Sequence, residues 1–231
     1  MERLRRNYKN QNIIMKNSFL KVKHVILVLI LVTTIACGKD DPLPEVNIPT
    51  VSYASPSMEA QFFKEGQSTA PTVNWNNNQG LFSLATAIEG LTINASTGVL
   101  NWTKALPEGE HAVEVIAKNS AGQTSISLTL KNALQGQFIG VFDSVEIFKV
   151  KLIADGSIEV IAGNDDSNLA TGTWSVDGNS VKADYSYSHG DWSFKGTLTQ
   201  TESKVTLIGD YYSGHGIIPA NISGDFNVVL E

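Results

Sequence analysis

Between Pro49 and Glu231 no stretch sustains apolar residues at the i, i+3, i+4, i+7 spacing of an amphipathic helix, and apolar–polar alternation with a period of two recurs instead. A period of two sends successive side chains to opposite faces of a strand, so this part of the chain is expected to be all-β. The clearest instance is His111–Lys118, where Val113, Val115 and Ala117 share one face and the other is mixed. Asn119-Ser120-Ala121-Gly122 reads as a turn, and Ser125–Leu130 as the returning strand. Cys37 is the single cysteine of the 231 residues, so no internal disulfide is possible and stability must come from a buried core.

Ahead of the β-rich region, Lys16, Lys21 and Lys23 precede an apolar core, Val25–Val32, and small residues before Cys37. That is the order of a secretory signal, and the core is shorter than the roughly 20 apolar residues of a membrane-spanning helix. Thr34-Ile35-Ala36-Cys37 resembles the lipobox of bacterial lipoproteins, with Thr34 where that family usually has Leu. The resemblance implies loss of residues 1–36, acylation of Cys37 as the new N-terminus, and a membrane partner held through that anchor. Met15, followed by Lys16, reads as the better start. Gly38-Lys39-Asp40-Asp41 resembles the acidic export signal of Bacteroidetes-type lipoproteins, which implies an outer-membrane protein displayed on the cell surface. Residues 37–48, broken by Pro42 and Pro44, read as a tether.

Residues 1–36 hold seven of the 17 basic and one of the 23 acidic residues, which leaves 10 basic against 22 acidic and a net charge of −12 for the remainder. All three arginines (Arg3, Arg5 and Arg6) fall in the leading segment. Nucleic acid and phosphate require Lys/Arg neutralisation and bidentate forks, so neither is an expected partner.

The block Gly90–Gly122 contains Gly90-Leu91-Thr92-Ile93-Asn94, a turn at Ser96-Thr97-Gly98, the strand Val99-Leu100-Asn101-Trp102, and then Pro107 through Asn119. It is similar to Ig-like domains related to cadherin folds, in which a strand–turn–strand is followed by an alternating valine-rich strand. The resemblance implies an Ig-like β-sandwich over residues 49–132 and leaves function open. Cadherin-type domains often hold calcium. Within 49–132 the only acids are Glu59, Glu65, Glu89, Glu108, Glu110 and Glu114, with no Asp-rich ligand run, so no metal is expected.

Leu134-Gln135-Gly136 reads as a junction to a second β-region, 137–231. Its expected strands are Phe138–Asp143, Val145–Ile153, Ser157–Ala162, Ala170–Val176, Val181–Tyr187, Asp191–Thr199, Lys204–Asp210 and Ile222–Leu230. Short turns such as Ala154-Asp155-Gly156 and Asp177-Gly178-Asn179 point to an antiparallel meander, closed into a small barrel or strongly curled. Gly172-Thr173-Trp174 with Asp177-Gly178-Asn179 is similar to the strand-and-turn pattern of lipocalin-like and avidin-like barrels.

One face of that meander is aromatic. Val181, Ala183, Tyr185 and Tyr187 share a face, as do Trp192, Phe194, Gly196 and Leu198, and Trp174 and Val176 share another. Trp174, Tyr185, Tyr187 and Trp192 are therefore the candidate ligand-binding residues, the alternative being barrel core. Trp75 lies in a polar stretch, and Trp102 follows an alternating strand. His111, His189 and His215 show no triad spacing, and Asp165-Asp166 reads as a turn, so no catalytic residue is assigned. No cofactor is implied. The expectation is a non-catalytic binding lipoprotein with glycan as the leading ligand. The alternatives are an interaction subunit with an envelope protein partner, or a carrier of an apolar ligand in the second region.

Overall fold

The computed structural model describes residues 47–231 except Val145, all within one compact unit, Val46–Glu231. The export segment, Cys37 and the tether up to Val46 lie outside the described residues. The last tether positions are fastened. Asn119 Nδ2 donates to Asn47 O (2.8 Å), Asn76 Nδ2 to Ile48 O (2.7 Å), and Thr124 Oγ1 to Pro49 O (2.6 Å).

The first part is a β-sandwich. Its short strands are β1 (Thr50–Ser52), β2 (Ser57–Gln61), β3 (Gly66–Gln67), β4 (Thr72–Asn74), β5 (Leu81–Leu84), β6 (Leu91–Ile93) and β7 (Leu100–Trp102), followed by the long hairpin β8 (Gly109–Asn119) and β9 (Gly122–Ala133). One sheet runs β2-β9-β8-β5, with β2 parallel to β9; a second runs β3-β7-β6, and β1 pairs with β4. The two larger sheets share a core in which Val113, Val115 and Ala117 of β8 meet Leu100 and Trp102 of β7, Phe82 of β5 and Leu91 of β6. The alternation in β8 thus faces inward as expected. Trp75 joins the same core, its ring edge-on to Phe82 with centroids 5.1 Å apart. Gly98 has φ +72°, and the Asn94 side chain accepts from the backbone N–H groups of Ser96 and Thr97, both at 3.0 Å, which closes the turn between β6 and β7.

The second part is a closed eight-stranded antiparallel barrel. It comprises β10 (Gly136–Phe142), β11 (Glu146–Leu152), β12 (Ser157–Ala162), β13 (Leu169–Asp177), β14 (Ser180–Tyr187), β15 (Gly190–Gln200), β16 (Val205–Ser213) and β17 (Ile222–Leu230). Each strand pairs with the next, and β10 pairs with β17 from Phe138↔Leu230 to Phe142↔Phe226, so no edge remains. The inward set is apolar, with Phe138, Val150, Val160, Ala170, Val181, Phe194 and Val228 fully buried. The outer wall carries Lys149, Lys151, Glu159, Lys182 and Lys195, with Lys151 and Glu159 directly opposite and paired at 2.8 Å. An apolar inside with a charged outside is the inverse of a membrane-spanning barrel, whose lipid-facing wall is apolar.

The two barrel ends differ. At the end where the chain enters, Phe62 and Leu134 from the sandwich side belong to the barrel's own buried cluster. Gln200 Nε2 donates to Lys104 O (2.6 Å) and Leu106 O (2.8 Å), and Thr103 Oγ1 donates to Glu202 Oε1. The Lys104 ammonium lies 5.4 Å from the Phe63 ring centre. Packed side chains thus plug this end. The other end carries the turns after β10, β12, β14 and β16.

Candidate binding site

At the unplugged end, the inward positions of adjacent strands converge as aromatic rings. The register sets Trp192 of β15 directly opposite Tyr185 of β14. Barrel closure brings Phe142 of β10 beside Tyr211 of β16, with ring centres 5.9 Å apart and nearly perpendicular. Trp192 meets Tyr211, also at 5.9 Å, and Tyr185 meets Tyr187 edge-on at 5.9 Å. In the turn after β14, His189 stacks on Tyr187, with centroids 5.2 Å apart and planes inclined by 19°. These rings surround a cavity of about 170 Å³, whose lining Phe148, Ala162 and Asn168 complete. Below it Phe194 and Phe226, 5.1 Å apart and fully buried, close the barrel interior.

The polar groups at the mouth are few. Tyr211 OH donates to Asp143 Oδ2 at 2.6 Å, and the backbone N–H of Asp143 donates to Asp225 O at 2.9 Å. Gly224 sits opposite Tyr211, and a β-carbon there would contest the space the Tyr211 ring fills. The Tyr187 hydroxyl is buried and forms no hydrogen bond of ordinary geometry, although the Ala162 backbone lies near enough to favour its ionised form slightly. Burial pushes Tyr187 up to about 12. Burial, and then the carboxylates of Asp143 and Asp225, push Tyr211 to about 12 as well. Tyr185 is raised further, by burial first and by its two tyrosine neighbours second. All three phenols are neutral at physiological pH, so the wall presents uncharged rings and O–H donors.

The longest link at this end, 214–221, does not cover the mouth. Ser193 points outward from β15, yet it is fully buried because this link lies over it. Its Oγ donates to Gly216 O (2.9 Å) and Gly214 O (3.1 Å), while Asp184 Oδ1 accepts from Gly216 N–H (2.7 Å). The link is fastened to the outer wall of β14 and β15, and the cavity stays open to solvent.

Of the four residues expected to form the site, Tyr185, Tyr187 and Trp192 line this cavity and Trp174 does not. Trp174 faces inward one turn nearer the plugged end, where its indole N–H donates to Ile153 O at 2.9 Å. Its hydrogen bond and packing mark it as part of the barrel wall. Phe142, Phe148, Ala162, Asn168, His189 and Tyr211 also line it and were not among the expected ligand-binding residues. For Tyr211 a signal existed: it continues the alternation Leu207, Gly209, Tyr211 beyond the expected end of that strand at Asp210.

Among the described residues, no histidine completes the geometry of a serine triad. Ser186 Oγ, His215 Nε2 and Asp191 Oδ1 do cluster, with Ser186 donating to Asp191 at 2.7 Å and lying 3.1 Å from His215. In a serine triad the carboxylate orients the imidazole through its other nitrogen. Here Asp191 binds the serine directly and lies 3.7 Å from the same Nε2. His111 Nε2 meets Pro107 O at 2.9 Å. Asp165 caps a turn by accepting from Ser167 N–H (2.9 Å) and Oγ (2.7 Å), which hold it below the usual carboxylate range. Asp166 pairs with Lys149 at 2.7 Å. Among the described residues, no group of three or more His, Cys, Asp or Glu side chains is placed to hold a metal ion.

The fold and cavity define an all-β protein of sandwich and barrel with an aromatic-lined mouth. No family model matches the chain, and no curated protein matches it. Among solved structures it is similar to human protocadherin-24 EC1-2, at 11% identity over 80% of this chain and 96% of that chain, with a TM-score of 0.39. At that level the similarity assigns neither family nor function.

Proposed function

We propose that the chain is a non-catalytic binding lipoprotein, anchored through Cys37 at the outer membrane and displayed on the cell surface, whose barrel mouth takes one compact group of an extracellular ligand. The observation that carries this reading is the asymmetry of the barrel: one end is plugged by Phe62 and Leu134, and the other is an open, ring-lined cavity of about 170 Å³. A cavity of about 150 Å³ lined by apolar residues accepts a benzene-sized guest, so the mouth suits one ring or head group rather than a whole drug-sized molecule. The terminal residue of a glycan, stacked on Trp192, is one such group. A carrier role for an apolar ligand narrows to the same mouth, since the interior below it is filled by Phe194, Phe226 and their neighbours. A role as a docking subunit has weaker support: β5 is a short edge strand, and the N–H of Phe82 within it already donates to Ala95 O.

The test is a glycan and small-molecule panel read by tryptophan fluorescence and melting temperature, with Trp192→Ala alongside. A ligand that shifts both signals in the natural protein and neither in the variant is the expected result. A panel without any such ligand, repeated with intact cells, would transfer support to the docking role.

A further inference from the structure

We infer that the group taken by the mouth is a compact organic cation of the methylated-ammonium class. This rests on the reading of the mouth as a ligand site and names what that site selects. Three observations converge on it.

The first is the nature of the walls. Tyr187, Trp192, Tyr211 and Phe142 present aromatic rings around a cavity of about 170 Å³. The faces of such rings carry the negative part of a quadrupole, and a cation enclosed by several of them is held electrostatically; quaternary ammonium groups are recognised in this way. A neutral sugar instead needs a dense set of directional hydrogen bonds, and here the polar side chains within the lining are three phenols, Asn168, His189 and the Trp192 indole N–H, with the Tyr187 hydroxyl itself unexposed.

The second is charge. No lysine or arginine lines the cavity, and the carboxylates of Asp143 and Asp225 stand at the Tyr211 side of the mouth. Tyr211 donates its hydroxyl proton to Asp143 at 2.6 Å, which draws negative charge toward the ring that faces the cavity. An anionic ligand would meet these carboxylates with no compensating base.

The third is hydration. A methylated ammonium has few or no N–H donors and a soft hydration shell, so it loses little on entering a wall short of acceptors. A primary ammonium such as lysine's is strongly hydrated and needs acceptors for three N–H groups. The Tyr187 hydroxyl has no exposed surface, so it adds no acceptor for N–H groups within the mouth.

The experiment is calorimetric titration of the full chain with choline, its uncharged isostere 3,3-dimethylbutan-1-ol, and a set of methyl glycosides, alongside vesicles with phosphatidylcholine or with phosphatidylglycerol alone. Choline is expected to bind at least about ten-fold more tightly than the isostere. Trp192→Leu, which keeps apolar bulk and removes the ring, is expected to bring the two together. Asp143→Asn, which leaves every ring in place, is expected to lower choline affinity several-fold and leave the isostere unchanged; it serves if the tryptophan variant fails to fold. Binding of free choline places the site's ligand in solution, whereas binding seen only with phosphatidylcholine vesicles places it on a lipid surface; both support the assignment. Equal binding of choline and isostere, or binding of glycosides alone, overturns the cation and leaves the mouth as a ligand site. Silence from every ligand overturns both.

Discussion

Tyr187 and Tyr211 are where the chemistry of single residues is most exposed to measurement. Both phenols are pushed to about 12 in the folded state, against about 10 in an unfolded chain. A folded state that holds its proton more tightly gains stability that is complete below the unfolded pKa and is lost as pH climbs through the folded one. The tyrosinate absorbance band is therefore expected to stay small through pH 10 and to rise between about pH 10 and 12 together with loss of near-ultraviolet circular dichroism. Ionisation complete by pH 10.5 with the fold intact would contradict the buried placement of these rings. The Tyr187 hydroxyl, buried without an ordinary partner, leads to a second expectation. Tyr187→Phe removes a desolvated donor and keeps the ring, so it is expected to be neutral or to stabilise by up to about 1 kcal/mol. A loss of more than that in urea unfolding would mean that the hydroxyl has a partner.

At the level of strands, much of the barrel was legible because its turns carry strong local chemistry. Asp155-Gly156 and Asp177-Gly178 both supply a glycine with positive φ, and the strands between such turns alternate cleanly. The eight expected strands coincide with β10 to β17 to within a few residues. The strand expected over Lys204–Asp210 stops short of β16, which extends through Tyr211 and Tyr212 to Ser213. The alternation runs on through these tyrosines, with Tyr211 lining the cavity and Tyr212 buried, although the pairing with β17 shifts register between them. The sandwich was legible mainly through β8, whose alternation is long. β1 to β7 run only two to five residues each, too few to display a period, and the parallel pairing of β2 with β9 joins residues some seventy positions apart. The candidate site was half legible for a related reason. Tyr185, Tyr187 and Trp192 lie on one hairpin, which local alternation can align, whereas Phe142 meets Tyr211 only because the barrel closes. Trp174 shares their inward face but sits at a different height along the barrel axis, and height is not readable from period two.

In the whole molecule, the sandwich and barrel share side chains at the plugged end, so they are expected to unfold together. Phe62, 6% exposed, belongs to the barrel's cluster although it follows β2 of the sandwich. Phe62→Ala is expected to cost about 3 kcal/mol and to split a single thermal transition into two in calorimetry, because it removes apolar contact across the junction while each core survives. A variant with one transition at an unchanged midpoint would show that Phe62 does not couple the two.

For the ligand capture proposed above, the link fastened by Ser193 and Asp184 to the outer wall would set the tempo as well as the geometry. With that segment spent on the outside, entry requires no lid to swing and no slow rearrangement, so encounter alone governs arrival. The same freedom governs departure, and a guest filling about 170 Å³ leaves quickly. Under the proposed anchorage, lasting retention would fall to number: many tethered copies sharing one surface would recapture what each releases, and avidity toward a multivalent target would replace long residence in any one mouth.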